Sequence, residues 1–339
     1  MKAPYIHTEQ KGSDHSKNWL VALVPILIWG VFAFGARVLS LCVISLFSAY
    51  ALDYPARRYL FKYSKGRCVD LMTAVYAVLA VFAMPVTVPL FFPMISSILV
   101  VLAKNLSVFR PKMIFNPFVF SAAVLNVAFP SVMTAFSKPF AYFSAFDITI
   151  DPKLLQGYRV ISPLQYIADG SVYEDGLMAQ LYGFASGNIG EIAVAAILLS
   201  ALWLFLRQEL DLTSTAFFVG FILILGLAFP SNDAENNHFA FSILLSGGIA
   251  FLAVFALNDR ATMPLTSLGK LVVALVSGGL IFVARKFFGG FEWGYAIFLV
   301  LSFVSPLIEK VTKPKPITAP KTKQKNKPAN KQKAKAEIR

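Results

Sequence analysis

Three carboxylates stand at the ends of long apolar runs, where an ionisable side chain is costly and often functional. Asp70 and Glu191 each open such a run, and Asp259 directly follows one. The helix dipole also favours a carboxylate at a helix start, which would account for Asp70 and Glu191 without any function. Asp259 can equally be an ordinary loop residue. Each of the three carboxylates is therefore a candidate functional residue whose position also has a purely structural explanation.

Asparagine, proline and glycine interrupt the apolar pattern at three places. An Asn-Pro pair begins at Asn116, residues 246–248 (Ser-Gly-Gly) lie within a later run, and residues 258–264 close that run. Broken backbone at membrane depth is tolerated only where protein or a cavity covers it. Packing through small residues also explains the glycine pair, but it explains Asn116 less well. We expect Asn116, Asp259 and Thr262 to line a covered region that holds a cofactor, an ion or only packed side chains.

One long segment, residues 131–189, breaks the apolar pattern, and a loop of this length is usually functional or disordered. It contains Ser162 and Pro163 and ends in a glycine-rich stretch with Gly187 and Gly190. The N–H groups of such a stretch, just before a helix, can bind an anion. A flexible connection is equally consistent with these glycines.

The composition places these residues in a membrane protein and excludes a soluble globular enzyme. Of 339 residues, 57% are hydrophobic and 14% charged, whereas about a quarter of the residues of a soluble domain are charged. A spanning helix needs about 20 apolar residues, with about 17 as a lower limit. The runs are continuously apolar, which predicts helices rather than a barrel. The candidate spans are 19–35, 37–52, 69–84, 88–103, 115–130, 190–206, 214–229, 239–257, 267–284 and 292–308.

The net charge of +13 does not indicate nucleic-acid binding, because most of it lies in the C-terminal tail. Residues 310–339 contain eleven Lys or Arg residues and one acid. We expect this tail to be disordered and either to fix the topology or to bind anionic lipid or an acidic partner. Cys42 and Cys68 are too few for a disulfide scaffold or a four-cysteine metal site.

The basic loops predict that both termini are cytoplasmic, because 25 of the 31 Lys and Arg residues then lie on that side. Two halves of five spans must have opposite orientations, which is the arrangement of an inverted repeat with a site near the repeat interface. We therefore predict an all-α integral membrane protein of about ten transmembrane helices in two five-helix inverted repeats, in the inner (cytoplasmic) membrane. Its predicted parts are an N-terminal segment 1–18, membrane halves 19–130 and 190–308, an extracytoplasmic loop 131–189 and the basic tail 309–339.

Together, these segments resemble one family of membrane proteins, which comprises RnfD of the Rnf electron-transport complex and NqrB of the sodium-translocating NADH:quinone reductase. The matching segments cover residues 19–308 in the family's order: Asp70 with Pro85, Lys104 with residues 115–117 (FNP), residues 187–191 (GNIGE), residues 246–248 (SGG) and residues 258–264. Phe118 stands where the family has alanine, and Arg260 where it has proline. The chain is thus identified as a divergent member.

The resemblance implies a subunit of an ion-coupled redox complex that carries FMN, esterified through its phosphate to a threonine on the outer side. Ser162 stands at that threonine's position and offers the same hydroxyl group, so the flavin is either covalent at Ser162 or bound without a covalent bond. The resemblance places the outer cofactor site at Ser162, Pro163, Gly187, Gly190 and Glu191.

A second site, at Asn116, Asp259 and Thr262, would hold a second flavin of unknown identity, an ion or nothing. The resemblance also implies electron relay between subunits, membrane and peripheral partner subunits, contact with lipid and a flavin transferase. It assigns no catalytic or metal-binding residue. The alternative function is a flavin-free transporter or channel for a small solute or ion, since inverted repeats of five spans are common in transporters.

Overall fold

The computed structural model describes residues 12–60, 70–106, 113–140, 162–168, 176–230, 236–289 and 292–312. Within these residues the chain is helical, without a β-strand, which confirms the predicted all-α class. The basic tail beyond Thr312 and most of the segment 141–175 lie outside the described residues.

The described residues up to Phe140 form six helices. They are α1 (Gly12–Phe34), α2 (Arg37–Pro55, continued by the π-helical turn Ala56–Leu60), α3 (Leu71–Phe82), α4 (Phe92–Leu106), α5 (Pro117–Ala128) and the short α6 (Pro130–Met133). Helix α1 begins seven residues before the predicted span, so it extends into the segment predicted to precede the membrane.

The second part contains two short helices followed by the longer ones. They are α7 (Pro163–Ala168), α8 (Gly176–Tyr182), α9 (Val194–Leu206), α10 (Leu212–Ala228), α11 (Asn236–Leu245), α12 (Ile249–Phe251, continued by the π-helical turn Leu252–Ala256), α13 (Ser267–Phe287) and α14 (Trp293–Thr312). The two parts pack on each other through α1 against α9 and α5 against α14.

Several of these helices are suited to cross a membrane. Helices α1, α2, α13 and α14 are long and apolar enough, and residues 239–245 with 249–256 form a fifth candidate span that is bent by 57°. Helices α3, α4, α5, α9 and α10 are apolar but shorter, at 10–17 residues. Large apolar side chains such as Phe47 and Val300 face outward, as expected of a surface in contact with lipid. The chain is thus a multi-pass membrane protein with four to five candidate spans by length and composition.

Two apolar segments are broken inside the protein, and a buried arginine bonds to the backbone at each break. Helix α3 ends at Phe82, and two prolines, Pro85 and Pro89, follow in a segment without regular structure. The Arg37 side chain, 1% exposed, donates to the carbonyl oxygens of Val86 (2.8 Å) and Val88 (2.9 Å). Carbonyl groups without helical partners are thereby satisfied in an apolar interior.

The second break lies between α11 and α12. Arg285, in the last turn of α13, donates through Nη1 to the carbonyl oxygens of Ile243 and Ser246, both at 2.8 Å. In the count of basic residues that predicts the topology, Arg37 and Arg285 are among the six on the outer side. Instead, both side chains are buried and bond to broken backbone.

Replacing Arg37 with methionine should destabilise the protein by about 2–4 kcal/mol, because the Val86 and Val88 carbonyl groups lose their donors while they stay buried. Chemical denaturation in detergent micelles would measure the change in the free energy of unfolding. The matched control is Arg207→Met, because Arg207 is exposed and its guanidinium only lies over the Trp203 ring; this change should cost less than about 1 kcal/mol. Equal losses in the two variants would contradict the role assigned to Arg37.

Candidate functional site

The glycine-rich stretch 187–191 crosses the end of α3. The Ile189 N–H donates to the Met84 carbonyl oxygen (2.9 Å) and the Gly190 N–H to the Phe82 carbonyl oxygen (2.8 Å). A Cβ atom at Gly190 would overlap the Phe82 side chain. Gly190 therefore permits a close contact with the first break, and its N–H group is occupied by protein rather than free for an anion.

The glycine pair in residues 246–248 contacts two carboxylates. Gly247 has a positive φ of 57°, a backbone conformation that favours glycine. A Cβ atom there would overlap the Glu292 carboxylate, and one at Gly248 would lie 2.6 Å from Glu191 Oε1. Packing through small residues was one explanation of this pair; the structure adds that the neighbours they contact are charged groups.

Glu191 and Glu292 are both buried, and we call them the carboxylate pair. Glu191 accepts hydrogen bonds from the Tyr295 hydroxyl on Oε1 and from Asn188 Nδ2 on Oε2 (2.9 Å). Glu292 Oε2 lies 3.5 Å from Arg285 Nη2 without a hydrogen bond. Sequence analysis did not identify Glu292 as a candidate, because an acid directly before α14 resembles an ordinary residue at a helix start.

A small cavity lies at the second break and is partly open to solvent; the empty space of about 360 Å³ in this region includes that open solvent. We call it the break cavity. Four residues predicted for the outer cofactor site line it: Ser162, Pro163, Gly187 and Glu191. Gln180 and Glu292 also line it, and neither was predicted. Gln180 lies on α8, within the segment predicted as a loop, where a lone amide forms no recognisable motif.

Three buried acceptors in or next to the break cavity have no hydrogen-bond partner. Gln180 Oε1 and Glu292 Oε2 are buried acceptors without a hydrogen-bond partner, and Asn188 Oδ1, next to the cavity-lining Gly187, is a third. Buried polar atoms usually have partners, and exceptions call for an explanation. These unpaired acceptors suit a ligand that presents N–H or O–H groups.

The other three predicted residues form a separate group, which we call the Asp259 cluster. Asn116 Nδ2 (2.9 Å) and Thr262 Oγ1 (3.0 Å) donate to Asp259 Oδ2, and the Ala261 N–H donates to Oδ1 (3.0 Å). The Tyr76 hydroxyl lies 3.2 and 3.3 Å from the two oxygens. Asn116, Asp259 and Thr262 are thus brought together as expected, and each is bonded to another member of the cluster.

Local sequence explains how Asn116 reaches this cluster. Its side chain also accepts from the Val119 N–H (3.4 Å) and so caps α5, while Pro117 occupies the first helical position, where its missing N–H costs nothing. Tyr76 was missed, because an aromatic residue in an apolar helix gives no signal of a polar partner.

The backbone that carries Asp259 is tied to the start of α10. Asn258 Oδ1 accepts from the Asp211 N–H (2.8 Å), and Asp211 accepts from Lys270 Nζ (3.0 Å). Burial raises the pKa of Asp211, but the hydrogen bond and charge of Lys270 and the bonds of Ser214 outweigh it and hold that pKa below its ordinary value.

Asp70, the remaining candidate carboxylate, caps α3 and belongs to an ion-pair network. Its Oδ1 accepts from the Met72 N–H (3.1 Å), and its Oδ2 lies 2.6 Å from Lys104 Nζ. Lys104 Nζ also lies 3.8 Å from Asp53 Oδ2. Asp53 in turn forms an ion pair with Arg57 at 2.5 Å. The explanation of Asp70 as a residue at a helix start is therefore sufficient for its position.

Comparison with known proteins gives one family and several relatives. Residues 1–318 match the model of the NQR2, RnfD, RnfE family. The chain is 27% identical to a subunit of the proton-translocating ferredoxin:NAD(+) oxidoreductase complex of Clostridium ljungdahlii, over 92% of the chain and 93% of that protein. It is 25% identical to a subunit of the Na(+)-translocating ferredoxin:NAD(+) oxidoreductase complex of Acetobacterium woodii, over 92% of each.

Gly247→Ala should destabilise the protein by about 1–3 kcal/mol, because alanine is strained at this φ and its Cβ overlaps Glu292 and Arg285. Denaturation in micelles is again the measurement. Gly220→Ala is the control, since a Cβ there meets nothing within 4 Å and alanine favours a helix by up to about 1 kcal/mol. A Gly247→Ala protein as stable as the control would contradict the packing described at this break.

Asp259→Asn should cost about 2–4 kcal/mol, because the new amide NH₂ faces donors in a buried cluster and leaves them unpaired. Tyr76→Phe, which removes only one of the donors, should cost about 1 kcal/mol. The control is Asp14→Asn, whose carboxylate is exposed and lies 3.9 Å from Lys17. If Asp259→Asn is as stable as Asp14→Asn, the cluster does not stabilise the fold.

Proposed function

Because the chain belongs to the NQR2, RnfD, RnfE family, as its ordered motifs predicted, we propose that it is a membrane subunit of an ion-translocating ferredoxin:NAD(+) oxidoreductase complex. The names of the relatives support this role. Other membrane and peripheral subunits are the implied partners. The five short apolar helices α3, α4, α5, α9 and α10 would cross the membrane together with the five longer candidates, to give ten spans with both termini in the cytoplasm.

The proposed cofactor is FMN in the break cavity, with Ser162 Oγ as the acceptor of its phosphate. The observation that carries this proposal is that Ser162 is buried at the wall of the same cavity as Gly187 and Glu191. A serine hydroxyl at a cavity wall is the group that a phosphoester needs. A flavin transferase would be required to form that bond.

Part of the cavity lining suits such a group. The unpaired Gln180 Oε1 can accept from a hydroxyl or N–H group of a flavin. When bound, FMN would supply electron transfer between neighbouring subunits. The chain would supply position and burial, because the two breaks and the stretch 187–191 fix the cavity wall through backbone hydrogen bonds.

The Asp259 cluster supports a different role. Its carboxylate already accepts from Tyr76, Asn116, Ala261 and Thr262, which lie on α3, at the start of α5 and in the segment after α12. We infer that it joins the two parts of the chain. A second flavin or an ion at Asn116, Asp259 and Thr262 stays a prediction.

Ser162→Ala tests the flavin proposal. The purified unsubstituted protein, denatured and run on a gel, should show flavin fluorescence, and the variant should lose it. Ser186→Ala is the matched control, because Ser186 is buried at the same cavity wall and its loss should leave the fluorescence unchanged. Peptide mass analysis would identify the modified residue.

Two outcomes would contradict the proposal in different ways. Fluorescence that persists in Ser162→Ala would show attachment at another residue. A dark band together with a native protein free of flavin would exclude the redox role of this chain and favour the flavin-free transporter.

A further inference from the structure

The carboxylate pair and Arg285 form a buried cluster in which acids outnumber bases. Glu191, Glu292 and Arg285 are 3%, 7% and 3% exposed. Two carboxylates and one guanidinium leave one negative charge without a partner in an apolar interior. An uncompensated buried charge is costly, and a buried acid usually takes up a proton instead.

The hydrogen bonds in this cluster are also incomplete: Arg285 Nη2 is a buried donor without a hydrogen-bond partner, and two buried acceptors are unpaired as well. Around the pair, Tyr295 and Asn188 bond to Glu191, whereas Glu292 Oε2 and Asn188 Oδ1 are buried acceptors without a hydrogen-bond partner. On the side of α13, Arg285 uses Nη1 on backbone carbonyls and points Nη2 at Glu292. One guanidinium cannot balance both acids, so an added proton would remove the excess charge.

The second break places the two carboxylates against adjacent glycines and beside the cavity. Glu191 lies against Gly248 and Glu292 against the preceding Gly247, and both acids line the break cavity. That cavity is partly open to solvent, so a proton on the pair has a route to exchange. Neither acid is bonded to a residue of the Asp259 cluster.

We propose that Glu191 and Glu292 form a proton-binding site in which two carboxyl groups share one proton beside the break cavity. Interacting acids of this kind titrate as a pair rather than singly. The site uses the chain's own residues, and it does not depend on the presence of flavin. A flavin-free chain should therefore hold the proton as well.

Infrared spectroscopy of the purified full chain at neutral pH tests this site through the C=O stretch of protonated carboxyl groups. The unsubstituted protein should show a signal from one such group that shifts in D₂O. Glu191→Gln and Glu292→Gln should each abolish that signal, because the remaining carboxylate is balanced by Arg285. Arg285→Gln should do the opposite and roughly double the signal, since both acids then lack a counter-charge.

Glu209→Gln is the matched control. Glu209 is also buried, but it lies 2.5 Å from His15 and 3.8 Å from Arg260, so its loss should leave the signal unchanged. A signal lost in only one of the two pair variants would overturn the sharing, because the proton would belong to one residue. A signal that neither pair variant changes would overturn the proposed proton-binding site.

Labelling keeps the test decisive if a variant does not fold. In the unsubstituted chain, glutamate labelled with ¹³C at the side-chain carboxyl should shift the protonated signal, and labelled aspartate should not. A protonated signal that moves only with labelled aspartate would overturn the proposal. Because flavin fluorescence is not part of the measurement, failure of the proposed flavin site would be seen separately.

Discussion

Broken backbone inside an apolar protein must find hydrogen-bond partners within the protein, and most of this structure follows from that requirement. The carbonyl groups after α3 receive donors from Arg37 and from the stretch 187–191. Those after α11 receive donors from Arg285. Each arginine lies near the end of its own helix. From there its long side chain reaches the carbonyl groups of the neighbouring break. The two breaks are then brought together, because the segment that satisfies the first one also carries Glu191 to the second.

This requirement also explains why charge accumulates at the second break. Arg285 is needed for the carbonyl groups, and a buried guanidinium needs a counter-charge. Glu292 lies within 3.5 Å of it. Glu191 then adds a second acid, which Tyr295 and Asn188 bond but do not neutralise. The glycines at 247 and 248 make this packing sterically feasible, since a side chain at either position would occupy the space of a carboxylate. The break, the arginine and the acids are thus parts of one arrangement.

The sequence predicted the helical class, the membrane location and the family, because these depend on long apolar runs and on motifs in a fixed order. It also predicted that Asn116, Asp259 and Thr262 lie together. It did not reveal Tyr76, Gln180, Glu292 or the role of Arg285, since each has a polar or charged group whose partner is distant in sequence. Arg285 and Glu292 lie only seven positions apart, yet both resembled ordinary residues near helix ends. Span lengths were also harder to predict, because prolines and caps shorten α3 and α5 relative to their apolar runs.

The two groups of predicted residues differ in one physical property that bears on function. The Asp259 carboxylate receives four donors from three parts of the chain, so adding a ligand there would require breaking bonds that already exist. The break cavity is the reverse: its walls present buried acceptors without partners and an acid in excess of its bases. A ligand or a proton would gain hydrogen bonds in the break cavity. At the Asp259 cluster it would break hydrogen bonds that already exist. The chemistry of this protein is therefore expected where the hydrogen bonds are incomplete, while the saturated Asp259 cluster keeps the two parts of the chain in register.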